Sequence, residues 1–78
     1  MMIFVQIIDT STGIFQHGVI NEPIKKGFEV ANAIGHFGVN INTIKWENDY
    51  VNGDIKTNPR IMSGYIEETT KLINVVII

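Results

Sequence analysis

The chain has 78 residues, 45% of them hydrophobic and 18% charged, with a formal net charge of −2 and no cysteine. That length allows one domain, residues 1–78, around one core. The mild acidity excludes nucleic-acid binding driven by phosphate neutralisation, and the lack of cysteine excludes disulfide staples and thiolate zinc sites.

A domain this small buries only about 60–65% of the surface its unfolded chain exposes, so its stability margin is thin. With disulfides and thiolate zinc excluded, self-association is the remaining common route to stability, and the high apolar content favours it. No basic stretch followed by an apolar core opens the chain, and no apolar run approaches the ~18 residues of a membrane span. A cytoplasmic protein with no membrane partner is expected. Isoleucine fills fifteen positions and asparagine eight, against one leucine. Their AT-rich codons point to a low-GC bacterium or a mobile element within one.

In chain order, Ile3 to Ile8 is apolar except for Gln6, as suits a central strand covered on both faces. Asp9 to Gly13 is turn chemistry, and Ile14 to Ile20 alternates, with Phe15, His17 and Val19 on one side. The two runs form a hairpin. Asn21-Glu22-Pro23 reads as a helix start. Helical spacing gathers Ile24, Gly27, Phe28, Ala31, Ile34 and Gly35 on one stripe, widened by Val30 and Phe37, and leaves Lys25, Glu29, Asn32 and His36 as the polar face. The flank at Val30, Ala33 and Phe37 is broader than one sheet face covers and is directed at a partner subunit. Gly35 and Gly38 end the helix near position 37.

Ile41 to Trp46 alternates again, with Ile44 and Trp46 facing one way. Asn52-Gly53 is a strong hairpin signal, with Asp54 to Lys56 as its short return strand. Ile61 to Glu67 is a further strand, in which Gly64 marks a bulge or a close backbone approach. Lys71 to Ile78 is the last strand and almost wholly apolar. The fold class is α+β: ββα followed by three or four strands, one helix on a five- or six-stranded, mostly antiparallel sheet.

An apolar strand such as Leu72 to Ile78 must be paired and covered. It is either an interior strand of the chain's own sheet or part of a subunit boundary. In the second case Val30, Phe37, Leu72, Ile73, Val75, Val76 and Ile77 make up the oligomer interface. Residues 46 to 60 hold the densest mixture of functional side chains. Asp49, Tyr50, Asn52, Asp54, Lys56 and Arg60 are assigned to a recognition surface, together with His36 on the helix's exposed side. Trp46 either tucks into the core, the favoured reading, or joins that surface.

No catalytic, metal or cofactor signature is readable. The spacing of Asp49, Asn52 and Asp54 does not match a calcium loop, and Ser11 and Ser63 lack histidine–acid partners. The expectation is a non-enzymatic module, without cofactor, that self-associates and binds another protein, such as an inhibitor of a bacterial protein carried by a mobile element. A small-ligand binder with pockets at subunit interfaces is the alternative. A hydrolase using His17, His36 and Asp9 ranks third.

Overall fold

The computed structural model describes residues 1–23, 28–47 and 61–78. Met2–Asp9 (β1) and Phe15–Asn21 (β2) form the expected hairpin. Its turn closes as the residue types dictate. The Asp9 N–H donates to the Ile14 carbonyl (2.8 Å) and the Gly13 N–H to the Asp9 carbonyl (2.7 Å). Gly13 sits at φ +76°, where a side chain would be strained.

The helix, Glu29–Gly35 (α1), is shorter than the sequence suggests. Asn21 belongs to β2 rather than to a helix cap, because the first ladder runs on past it. Met1 and Glu22 exchange two backbone bonds of 2.8 Å, which holds this stretch extended. Ile24, Lys25 and Gly27 lie outside the described residues. At the other end the glycine signal holds. Gly38 takes φ +75°, its N–H returns to Gly35 (3.0 Å), and the Val39 N–H returns to Ile34 (3.4 Å), which satisfies two of the helix's last carbonyls.

Ile41–Thr43 is a 3-10 turn rather than the start of a strand. The Asn40 side chain accepts from the Asn42 N–H (2.9 Å), and the Thr43 hydroxyl donates to the Asn40 carbonyl (2.6 Å). Such local bonds compete with a ladder. The strand itself, Ile44–Trp46 (β3), has three residues. Asn52-Gly53 and the return strand at 54–56 lie outside the described residues. Ile61–Ile66 (β4) and Lys71–Ile77 (β5) complete the sheet.

All pairings are antiparallel, and the strand order is β2-β1-β5-β4-β3. The last strand is therefore the central one, an interior strand of the chain's own sheet. Alternation sends Ile3, Val5 and Ile7 of β1, Ile73 and Val75 of β5, Met62 and Ile66 of β4, and Ile44 of β3 to one face. Val30, Ala33 and Ile34 of α1 cover them, and all of these side chains are buried.

Two glycines let this layer close. A Cβ on Gly18 would stand 3.2 Å from the Phe37 ring, so the missing side chain makes room for Phe37 over β2. Gly64 is the close approach the sequence signalled. A Cβ there would strike the Lys45 carbonyl oxygen and stand 3.1 Å from Ile44 Cγ2. Register is continuous through it on both sides, so no bulge is involved.

The helix flank directed at a partner does not face outward. Val30 and Ala33 are buried in the core, and Phe37 is half-buried against it. Glu29, expected on the polar face, is also buried. It stands in the first turn, where unpaired N–H groups and the helix dipole favour a carboxylate. Among the described residues no helix is long and apolar enough to cross a membrane.

Candidate interaction surface

Among the described residues, helix α1 covers one face of the sheet and nothing covers the other. Residues opposite one another on paired strands share a face, so the register arranges the open face in rows across the strands. One row is Phe15, Ile8, Leu72, Tyr65 and Lys45. Another is Val19, Phe4, Val76 and Ile61.

Between these two apolar rows lies a polar one. His17 of β2 opposes Gln6 of β1, Gln6 opposes Asn74 of β5, and Asn74 opposes Ser63 of β4. Glu47 extends the row beyond β3, its N–H donating to the Ser63 carbonyl at 2.8 Å. The Phe15 and Phe4 rings flank His17, with centroids 5.1 and 6.4 Å from its own.

Of the apolar members Phe4 and Val76 are half-buried, and the others are exposed, from 36% for Ile8 to 60% for Ile61, with Phe15, Val19, Tyr65, Leu72 and the neighbouring Met2 between 42% and 48%. With whole-residue areas on the order of 150–250 Å², these seven exposed residues present roughly 600 Å². The polar row divides this area into two apolar patches, one on either side of it. Among the described residues, charge on this face lies at the rims. Lys45 and Glu67 pair at 3.1 Å beside β3, both largely in solvent, where such a pair adds little stability.

The expected oligomer interface therefore divides. Ile73 and Val75 are in the core with Val30, and Phe37 and Ile77 pack against its edge. Leu72 and Val76 point to the open face. Sequence reasoning missed Phe4, Phe15, Val19, Ile61 and Tyr65 as members of one surface. The alternation in each strand carried the signal, but only the strand order joins them.

Of the expected recognition residues, Asp49, Tyr50, Asn52, Asp54, Lys56 and Arg60 lie outside the described residues. His36 is on the opposite side of the sheet from the rows above. Its Nε2 stands 3.2 Å from Oε1 of Glu22, a carboxylate that is itself buried. With Ala31, Asn32 and Gly35 the two line an open cleft of about 390 Å³. His17 and His36 are not brought together. Trp46, favoured for the core, is half-buried and packs on it.

Asp9 ties the first turn to the last. Its Oδ1 accepts from the Thr70 hydroxyl (2.6 Å), the Ser11 hydroxyl (2.7 Å) and the Ser11 N–H (2.9 Å). The Thr10 N–H and hydroxyl both donate to the Thr70 carbonyl, at 3.0 and 2.7 Å. The Thr70 bond first, then the two from Ser11, hold the Asp9 carboxyl at about 2. A carboxylate so acidic is a weak base, suited to linking two turns. Among the described residues no three His, Asp or Glu side chains form a group that could hold a metal ion.

Compared with models of protein families, with curated proteins and with solved structures, the chain matches none. Its class is thus given by its architecture alone: an α+β chain with, among the described residues, one α-helix on an antiparallel five-stranded sheet.

Proposed function

We propose that this chain is a small, non-enzymatic binding module that works as a self-associated assembly and captures a protein partner. The observation that carries the reading is this sheet face, where two rows of apolar residues expose roughly 600 Å² in total and charge, among the described residues, lies at the rims. Composition favours a mobile-element setting, in which the captured partner is a bacterial host protein whose activity is blocked.

Light scattering at micromolar concentration tests the assembly. The expected species is a multiple of 8.8 kDa. A stable particle of that single mass would sink the reading.

A second reading, small-ligand binding, would use the shallow, open cleft at Glu22 and His36. A thermal-shift screen with nucleotides and small cations decides it. A ligand present at about 100 times its dissociation constant raises stability by about 2.7 kcal/mol. Unchanged melting across the screen would remove this reading.

A further inference from the structure

We propose that the open sheet face is covered by a second copy of this chain, packed sheet against sheet about a two-fold axis that runs along the strands. The inference rests on the self-association reading and adds the surface, the symmetry and the facing residues.

Area is the first argument. A standard interface buries about 800 Å² from each partner. The apolar side chains of the open face supply roughly 600 Å² of this, and the polar row between them supplies more. One copy therefore has what a stable dimer needs, without recruiting any other part of its surface.

The strands give the second argument. β1 and β5 are apolar on both faces, a pattern of strands covered from two sides. Helix α1 covers one side only. A second sheet at about 10 Å would cover the other, with strands inclined by about 30° as in aligned sandwiches.

The polar row supplies the third and selects the axis. A two-fold axis along the strands reverses the strand order of one copy over the other, so β5 lies over β5 and β2 over β3. The row His17–Gln6–Asn74–Ser63–Glu47 then meets itself reversed. Asn74 faces Asn74 of the second copy, where each amide has both a donor and an acceptor to offer. Gln6 faces Ser63 of the second copy, and His17 faces Glu47 of the second copy. An axis along the row would instead place Glu47 against its own copy, a like-charge contact that interfaces avoid. The row is complementary to its own reversal, as an isologous contact demands.

Sedimentation equilibrium from about 1 to 100 μM tests this in the full chain, with circular dichroism to confirm folding. His17→Glu places two like-charge contacts in each dimer and should raise the dimer dissociation constant by about tenfold or more. Adding Glu47→Lys to His17→Glu reverses both partners and should restore the constant to within about threefold of the original. Glu47→Lys alone should also weaken the dimer, which probes the same contact from the opposite rim if His17→Glu does not fold. A dimer indifferent to these changes, or one the double variant does not restore, overturns this geometry and leaves self-association standing. A monomer at every concentration, with the open face covered by the chain itself or by a different protein, overturns both.

Discussion

Gly64→Ala is the most demanding test of the sheet as described. Gly64 lies on β4 opposite Trp46 of β3, and a Cβ added there runs into the Lys45 carbonyl oxygen, with Ile44 Cγ2 and the Lys45 carbonyl carbon both at 3.1 Å. The obstacle is mostly backbone, so no side-chain rotation relieves it. Strand β3 must move outward or detach. Overpacking of this kind costs about 1–3 kcal/mol. The gain from replacing glycine in a strand, about 0.5–1 kcal/mol, offsets only part of that. Because the obstacle is backbone, the upper half of that cost applies, and the net expectation is a loss of about 1–2 kcal/mol, or roughly 4–16 °C in melting temperature for a domain of this size. Gly35→Ala is the matched control. It sits in α1 at negative φ with no atom within 4 Å of its added Cβ, and it should stabilise by up to about 1 kcal/mol. Thermal unfolding followed by far-UV circular dichroism, at one fixed protein concentration, reads both. A Gly64→Ala protein that melts with or above the parent would refute the close β3–β4 approach.

Three further outcomes are expected. Ile34→Ala, at a fully buried helix position, should cost about 2–5 kcal/mol in urea unfolding; a loss below about 1 kcal/mol would mean α1 does not pack as described. Glu68→Gly should stabilise by up to about 1 kcal/mol, because Glu68 holds φ +61° without a glycine's freedom, and a clear drop in melting temperature would contradict that backbone. Asp9 is lowered from 3.8 to about 2, so its contribution to stability is complete above about pH 4 and is lost as pH falls toward 2. The melting difference between the parent and Asp9→Asn should therefore shrink across that window; a difference constant from about pH 5 to pH 2 would refute the Asp9–Thr70 link.

Local chemistry made the first hairpin, the helix stop at Gly38 and the tight contact at Gly64 legible in the sequence. Each depends on residues adjacent in the chain or on a glycine that nothing else replaces. The extension of β2 through Asn21 and the 3-10 turn were not legible, because hydrogen bonds at Met1–Glu22 and Asn40–Thr43 outweighed the local pattern. Nor was the polar row. His17, Gln6, Asn74 and Ser63 come from four strands, and nothing in any single strand states that β5 lies between β1 and β4. The continuous apolar run in β1 predicts cover on two faces, of which the described residues supply one. Helix α1 is one of those covers, and the second copy is proposed as the other.

The position of β5 also governs how the chain folds. Ile3 pairs with Ile77, and β1 and β4 join only through β5. Closing so long a loop comes before any of its contacts can reward it, which slows folding. On the ribosome, the first hairpin emerges early and waits for β5 with both of its faces still apolar. That interval is the molecule's exposure to aggregation, so its yield in cells should depend on chaperone supply and synthesis rate more than on the stability of the finished sheet.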